Sequence, residues 1–419
     1  MKRTLAVLAM VIVSATAPVS AAAATGSAQQ EAYAQTHVSF ATQANAVVDY
    51  TVGGTETVDA VRVQSQSSAE SDLGLSGSFD LASVASMAGA GVSLDTTTDS
   101  HASLTTDSGA SIEAHDNGHG SLVVTAEEQS QYVALNLSND ASAEQRSDER
   151  VVFTAADGTK STAMVVGEGE VSVTERGNLT ASVEEDSRLV VRSYTGSRTE
   201  TDETEERMIV NGTAAASVYV MEQSGEQVTD VVSYSQDTTV EVTERAEGRV
   251  EMTAERSASE GRVVITHVSE STFESAEDVQ VSVDGEAAAQ ASSYAEVRQA
   301  ANGGDTSRYM VRQSGSASAE SEVVVGINHF STREVTMTDS SDGGSSDGDA
   351  SDGDSSDGES GDGDSSDGES GDGDSADGES GDGDDGSTDT SSGTGPGFGV
   401  VAAVIALVAA AALAARRRR

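Results

Sequence analysis

Two stretches, Gln131–Leu137 (QYVALNL) and Arg188–Tyr194 (RLVVRSY), show the pattern that decides the fold of this chain. Both are rich in Val, Leu and Tyr, and apolar side chains recur at alternate positions, as in a β-strand with a buried face. The same pattern returns between Gly120 and Met337 and predicts a mainly β chain. Further segments of this kind are Glu170–Thr174, Ser217–Met221, Thr239–Val242, Arg249–Thr253, Arg262–Val268 and Val279–Val283.

Turn-forming residues separate many of these segments, at intervals of about ten residues, which is typical of sandwiches and other all-β folds. The turn sequences are Asp157-Gly158, Asn211-Gly212, Ser224-Gly225, Asp284-Gly285 and Asn302-Gly303-Gly304. We therefore expect an antiparallel β-sandwich or a β-solenoid over residues 120–338.

Two parts of the chain show a weaker pattern. Residues 25–119 are rich in Ser, Ala and Gly; Val58–Val63 predicts a strand there, and Leu81–Val92 indicates a loop or a loose strand pair. We expect this N-terminal region to be β. Glu286–Ala301 is rich in good helix formers and predicts a helix.

The charge of the chain is strongly negative. It has 71 acidic and 23 basic residues, a net charge of −48, and Lys2 and Lys160 are its only lysines. This composition is similar to that of proteins from halophilic archaea, because molar salt screens such repulsion. Nucleic acid is excluded as a partner, since phosphates need a basic surface. The absence of cysteine excludes disulfides, thiolate nucleophiles and cysteine zinc sites.

The N-terminus and the segment after the β-rich region predict export and a spacer. Residues 1–24 have the charged start, the apolar run and the A-x-A end of a signal peptide. Residues 339–395 carry 20 acidic residues, no Lys or Arg, and a ten-residue repeat of the type DGDSSDGESG. With almost no apolar side chain, such a segment cannot offset its ordering entropy by burial, so we predict a disordered acidic stalk.

Residues 396–419 hold the most informative motif. Pro396-Gly397-Phe398 precedes an apolar run from Val400 to Ala415, which ends in the basic cluster Arg416, Arg417, Arg418 and Arg419. This run is just long enough for a transmembrane helix, and the arginines indicate a cytoplasmic end.

The tail resembles the PGF-CTERM sorting signal of archaeal surface proteins. The resemblance implies recognition of Pro396, Gly397 and Phe398 by an archaeosortase, removal of the helix and attachment of a prenyl-derived lipid. It also implies a protein anchored in the plasma membrane, with its body outside the cell. It covers only this tail and leaves the role of the body open.

Candidate chemistry in the body is sparse. Asn136, Asn178 and Asn211 begin N-x-S/T sequons and are candidate N-glycosylation sites. His115 and His119 are four residues apart, but the Asn117-Gly118 between them indicates a turn rather than a helical zinc site. His329-Phe330-Ser331 matches a tripeptide at which some surface domains cleave themselves, although a buried histidine at a strand end is the favoured interpretation. We therefore predict no catalytic residue, no metal site and no cofactor.

These observations favour a non-enzymatic cell-surface protein with a structural or interaction role in the archaeal envelope, in contact with other surface-layer proteins. Two alternatives remain open. The first is an adhesin or solute-binding receptor, against which the scarcity of aromatic residues counts. The second is a surface hydrolase, which would need a pocket that gathers His115, His119 or His267 with carboxylates.

Overall fold

The computed structural model describes residues 31–73, 81–84, 87–223, 225–273, 275, 278–313 and 320–339. The expected signal peptide, the stalk after Asp339, and the sorting motif with its apolar run and arginines lie outside the described residues. Within these ranges, no helix has the length and apolar character needed to cross a membrane.

The described chain is built mainly from short strands, with three α-helices and one 3-10 turn at Leu81–Ser83. The strands in chain order are β1 (Ala32–Ala34), β2 (Val38–Gln43), β3 (Ala46–Val52), β4 (Thr55–Ser65), β5 (Val92–Thr97), β6 (His101–Thr106), β7 (Ala110–His115), β8 (Leu122–Ala126), β9 (Gln131–Leu137), β10 (Ser142–Ser147), β11 (Arg150–Thr154), β12 (Lys160–Val166), β13 (Gly169–Val173), β14 (Leu179–Val183), β15 (Arg188–Tyr194), β16 (Ala214–Gln223), β17 (Glu226–Ser233), β18 (Thr238–Ala246), β19 (Arg249–Arg256), β20 (Glu260–Ser269), β21 (Val279–Val283), β22 (Glu286–Ala287), β23 (Ala289–Gln290), β24 (Arg308–Gln313), β25 (Glu320–His329) and β26 (Thr332–Asp339). The helices are α1 (Gln66–Leu73), α2 (Glu200–Val210) and α3 (Tyr294–Ala301).

The N-terminal strands form two sheets that share one apolar core. The first sheet has the order β1-β2-β3-β4-β9-β14-β13, and the second has the order β10-β11-β12-β15-β8-β7-β6-β5. Side chains from both, such as Leu135 of the first and Leu104 and Ile112 of the second, belong to one buried cluster. The sheets therefore pack face to face.

Both of these sheets contain strands from either side of residue 120. In the first sheet β4 pairs with β9, and in the second β7 pairs with β8. The Ser/Ala/Gly-rich region and the start of the β-rich region thus fold together.

The C-terminal strands form a second pair of sheets. The third sheet has the order β17-β16-β20-β25-β24-β23, and the fourth has the order β18-β19-β26-β21-β22. Val264, Val325 and Met337 lie in their common core. Two pairings, β16 with β20 and β23 with β24, are parallel, so the expectation of purely antiparallel sheets is wrong for the third sheet.

The second and third sheets also face each other, with α2 and α3 in the same layer. Apolar residues of both sheets and both helices form one cluster, including Met164, Ile209, Ile265 and Val297. We call this the middle layer. It covers the other faces of the second and third sheets, and β15 is consequently buried at all seven positions. All described residues belong to one compact unit.

The close approach of α3 to the third sheet depends on glycine. A Cβ at Gly326 of β25 would lie 2.3 Å from the backbone oxygen of Val297, and one at Gly261 of β20 would lie 2.3 Å from that of Ala301. No larger residue fits at either position without displacing the helix.

The strand predictions are largely confirmed, and three of them, β9, β15 and β21, match to the residue. The helix predicted over Glu286–Ala301 is wrong in its first half. Glu286–Ala287 and Ala289–Gln290 extend the fourth and third sheets instead, and the helix begins only at Tyr294. Pairing with existing strands outweighs the weak helix propensity of so short a segment.

Candidate functional site

The side chains of β15 alternate between the two faces of the second sheet, and several polar ones lie in the middle layer. Leu189 and Val191 point into the core of the first sheet pair, whereas Val190 belongs to the middle layer. Arg192 and Tyr194 follow Val190 at the strand period of two and therefore lie on the same face. Arg192 is completely buried there.

Helix α2 brings the opposite charges into this layer. Thr199 and Asp202 form a capping box at its start, which fixes the direction of the helix. The adjacent Glu205 and Glu206 are fully buried, and Met208 and Ile209 pack in the apolar cluster. Sequence reasoning missed this helix and all its buried acids.

Glu206 accepts hydrogen bonds from four side chains, and Arg198 donates to it through both Nε and Nη2. Its partners are Arg150 Nη1 at 3.3 Å, Arg198 Nη2 at 2.5 Å, Thr162 Oγ1 at 2.7 Å and Tyr194 Oη at 2.7 Å. Burial alone would raise the pKa of Glu206, but the hydrogen bonds and charge of Arg198 outweigh it, and its pKa is lowered. Glu206 is therefore ionised and fully paired.

Glu205 has a different environment. Both terminal nitrogens of Arg192 lie 3.2 Å from its Oε2, and Tyr294 Oη lies 3.4 Å from its Oε1 and 2.7 Å from Glu322 Oε1. Burial, and then the neighbouring Glu322, raise the pKa of Glu205 well above its usual range. Arg192 therefore holds one carboxyl oxygen of Glu205, and Tyr294 links the other to Glu322.

Two histidines complete the cluster. Arg192 Nη2 lies 3.1 Å from His119 Nε2, and His119 Nδ1 lies 3.1 Å from Tyr219 Oη. The rings of Tyr219 and His267 are stacked, with centroids 4.6 Å apart. Burial, and then the charge of Arg192, lower the pKa of His119 well below its usual range and that of His267 to about 3. Both histidines are therefore neutral at pH 7.

The buried polar cluster joins elements of both sheet pairs, because Arg192 belongs to the second sheet and Tyr219, His267 and Glu322 to the third. Its carboxylates are engaged by arginine or tyrosine, and its histidines are enclosed. This arrangement suits a fixed joint between the two sheet pairs.

A second polar contact joins the same two sheets at the loop after β7. His115 Nδ1 lies 2.8 Å from Asp230 Oδ1 of β17, and Asn117 donates to Asp230 Oδ2 at 2.8 Å. In the same loop, Asp116 accepts backbone hydrogen bonds from His37 and Val38. The expected turn is present, since the Gly120 amide donates to the Asn117 carbonyl.

His115 and His119 do not converge on a common point. His115 bonds to Asp230, whereas His119 contacts Tyr219 and Arg192. Among the His, Asp and Glu side chains of the described ranges, no three are arranged as they stand to hold a metal ion.

The interpretation of His329 as a buried residue is wrong. It does end β25, but its side chain is exposed, and Phe330 is the buried member of the tripeptide. The chain crosses from the third to the fourth sheet here, which turns Phe330 inward into the core of that sheet pair.

The three sequon asparagines lie in different surroundings. Asn211 is exposed at the C-terminal end of α2. Asn136 is half-buried within β9, and Asn178 is half-buried and accepts a hydrogen bond from the Leu137 amide. Only Asn211 combines a turn with a freely accessible side chain.

Asn136 and Asn178 both line a polar cavity of about 450 Å³ on the first sheet, together with Asn45, Arg62 and Arg176. None of its described lining residues is Asp or Glu, which is unusual for a chain of this charge.

Comparison with known proteins bears on the C-terminal tail, which includes Pro396, Gly397, Phe398 and Arg416–Arg418. No curated protein matches the chain in sequence. Residues 395–418 match the family model described as the PGF-CTERM motif. The chain therefore carries the C-terminal sorting signal of archaeosortase substrates, which marks a membrane-anchored protein of the cell surface.

Proposed function

We propose that this protein has a non-enzymatic, structural or interaction role in the archaeal cell envelope, beside or within the surface layer. The observation that carries the proposal is the buried joint of Arg192 with Glu205 and of Arg150 and Arg198 with Glu206. These pairs hold α2 against the second sheet, and Tyr294 links Glu205 of α2 to Glu322 of the third sheet.

A fixed joint of this kind favours a structural role for a physical reason. An apolar interface is non-directional and tolerates sliding, whereas a buried ion pair is favourable only in one geometry, since displacement leaves uncompensated charge. A protein that keeps a set spacing among neighbours in an envelope needs such rigidity. An enzyme that closes around a substrate needs some of its elements to move.

The remainder of the proposal concerns the ends and the surface of the chain. The signal peptide is removed, the body lies outside the cell, and the acidic stalk holds it away from the membrane in molar salt. The archaeosortase removes the tail beyond Pro396-Gly397-Phe398, and a lipid replaces it. Glycan is carried at Asn211, the most accessible sequon.

Cross-linking in intact cells tests the envelope role. Lys160 is the only lysine outside the signal peptide, so a dihydrazide reagent that links activated carboxylates suits this acidic surface. We expect the body to be cross-linked to surface-layer proteins. A variant that ends before Pro396 is the control, since it is released into the medium. Recovery of the full-length protein without any envelope neighbour would contradict the role.

Mass spectrometry of the mature protein, extracted from membranes, tests the processing separately. A C-terminal peptide that ends upstream of Val400 and carries a lipid mass is the expected result. Intact Arg419 on all molecules would show that the tail is a permanent anchor.

The polar cavity with Arg62 favours a receptor as the second candidate function. Its volume of about 450 Å³ lies in the range of small-molecule sites, and its arginine and asparagine side chains suit a saccharide or an anionic solute. Saturable binding of envelope saccharides that Arg62→Ala abolishes would establish the receptor. Binding of equal strength in that variant would exclude the cavity.

A hydrolase is less well supported. Asp230 and His115 have the relation of an orienting acid and a general base, which is part of a hydrolytic triad. However, no hydroxyl in the described ranges forms a hydrogen bond with His115 Nε2. Within these ranges, the His115–Asp230 pair therefore has no nucleophile to activate.

A further inference from the structure

A cavity of about 290 Å³ lies between the second sheet and strands β17 and β18. Its titratable lining residues are His101, Glu113, His115, Asp230 and Glu241. Three carboxylates and two imidazoles around one small space form an environment for a cation rather than for an anion or an apolar molecule.

His115 lines this cavity, and one of its ring nitrogens, Nε2, forms no hydrogen bond. Its side chain is only 4% exposed, and Nδ1 is 2.8 Å from Asp230 Oδ1. Since Asp230 also accepts from Asn117, its carboxylate fixes the proton of His115 on Nδ1. When His115 is neutral, the lone pair of Nε2 therefore faces the cavity, and this atom forms no hydrogen bond. A carboxylate behind an imidazole is the usual support of a histidine metal ligand.

His101 lies directly opposite His115, since the two are register partners in β6 and β7. Their ring centroids are 6.0 Å apart. His101 Nδ1 is 3.0 Å from Thr98 Oγ1, which leaves Nε2 as its available nitrogen. Two imidazoles on one tetrahedral zinc ion, each bound at about 2.1 Å, have centroids roughly 5 Å apart. A small rotation of the half-buried His101 would bring the pair to that separation.

Glu113 supplies a third ligand on the same face of β7. Its Oε2 is 3.8 Å from His115 Nε2, and its side chain is 45% exposed. Nitrogen and oxygen ligands of one tetrahedral zinc ion lie about 3.4 Å apart. The side chains do not close on one point as they stand. The shift needed is about 0.4 Å for the Glu113 carboxylate and about 1 Å for the His101 ring, and both side chains are partly exposed.

We propose that His101, His115 and Glu113 bind one divalent transition-metal ion of the zinc type in this cavity, with Asp230 as a positioning residue. Imidazole and carboxylate donors suit zinc and copper, whereas calcium and magnesium prefer oxygen donors alone. The three ligands belong to the second sheet, and the contact of His115 with Asp230 connects the site to the third sheet.

Zinc titration of the full-length chain tests the site. The buffer contains molar NaCl, in which the Debye length is about 3 Å and diffuse attraction of Zn²⁺ to the acidic stalk is screened. We expect one saturable site, at least about tenfold weaker in His101→Ala and in His115→Ala. Asp230→Asn should weaken binding by about 10–100-fold, the range for residues that support a metal ligand. His329→Ala, which removes an exposed histidine elsewhere, is the matched control and should bind as the parent does.

Cobalt provides a second readout. Co²⁺ at the site should give the visible absorption of tetrahedral nitrogen and oxygen coordination, and His101→Ala should abolish it. Since His101 is half-buried and its removal leaves the His115–Asp230 contact intact, this variant keeps the test valid if His115→Ala fails to fold. Absence of saturable zinc binding, or equal binding in the parent and His101→Ala, would overturn the proposal and leave water as the occupant of the cavity.

Discussion

The two faces of the second sheet are buried in opposite ways. One face, with Leu104, Ile112 and Leu189, contributes to an apolar core. The other face contributes Arg192 to a layer that also buries Glu205, Glu206 and His267. Both faces exclude water, but only the second contains charges, so burial alone does not determine what each interface does.

The two faces therefore contribute differently: the apolar face contributes mainly to stability, and the charged face to orientation. The apolar core is stabilised by about 25 cal/mol for each Å² of apolar surface removed from water, a contribution that has no preferred direction. A buried ion pair contributes little net stability, because desolvation offsets the attraction between the charges. It nonetheless penalises every arrangement in which the charges separate. The first sheet pair is therefore held by its core, whereas the charged contacts of the middle layer add a constraint on orientation to its apolar cluster.

Removal of Arg192 should have the largest effect. Arg192→Met leaves Glu205 buried without its cation, and loss of one partner of a buried pair costs about 3–5 kcal/mol. Chemical denaturation at constant molar salt measures the free energy of unfolding.

Two further variants make this result interpretable. Arg207→Met removes an exposed arginine on the same helix as Glu205 and should cost less than about 1 kcal/mol. Arg192→Met combined with Glu205→Leu should recover much of the loss, since replacing a buried pair by apolar residues is often neutral. If Arg192→Met alone lowered the free energy of unfolding as little as Arg207→Met does, the middle layer would be hydrated and its charges screened.

Truncation in the apolar core should have a slightly smaller effect, and no second change at another residue should recover it. Leu104 is completely buried, and Leu104→Ala should cost about 3 kcal/mol, within the range for buried leucines. The same denaturation experiment measures it. Because the loss arises from a cavity rather than a charge, it should be equal at pH 5 and pH 7. A strong pH dependence would contradict the proposed division between the two interfaces.

The sequence predicted the strands well because a strand with one covered face has a local signature. β9 and β21 are flanked by turn residues and alternate regularly, so their ends could be read to the residue. The order of the strands in the sheets could not be predicted. The pairing of β4 with β9, for example, joins segments about 70 residues apart and depends on contacts that no local pattern encodes.

The buried polar cluster was not predicted, for a related reason. Arg192 and Tyr194 alternate with Leu189 and Val191, a pattern that predicts an ordinary strand whose polar face is exposed to solvent. Glu205 and Glu206 lie in an acid-rich segment that resembles a solvated surface. The burial of Glu206 depends on Arg150 and Arg198, which are distant in the sequence or in a loop, and that of Glu205 depends on Arg192. The polar residues of β15 beside Leu189–Val191 were the available signal.

The same limit applies to His101 and His115. Fourteen residues separate them, and only the register of β6 and β7 places them opposite each other. Sequence reasoning weighed His115 with His119 and rejected them as a zinc pair, and the turn at Asn117 does direct the two side chains to different neighbours.

The smallest expected effect is on the pH dependence of the free energy of unfolding, to which the buried His267 and His115 should contribute with opposite signs. The pKa of His267 is lowered to about 3 by burial and by Arg192, so the folded state excludes a proton that the unfolded state binds near pH 6.5. The stability that neutral His267 confers is complete above that pH and falls by about 1.4 kcal/mol per unit as the pH drops. Between pH 6.5 and pH 5 the parent should therefore lose about 2 kcal/mol relative to His267→Gln.

His115 should show the opposite sign, because the two histidines differ in their nearest charge. Burial lowers its pKa, but Asp230 outweighs burial and the net pKa is raised. Its contribution is then complete below the pKa of the unfolded chain and is lost as the pH rises through the raised value. His115→Gln should therefore destabilise the protein more at pH 5 than at pH 8, and His267→Gln the reverse. Thermal unfolding of both variants across this range, in molar salt, measures the two slopes. Equal signs would mean that water reaches one of the two histidines and that the middle layer is not uniformly closed.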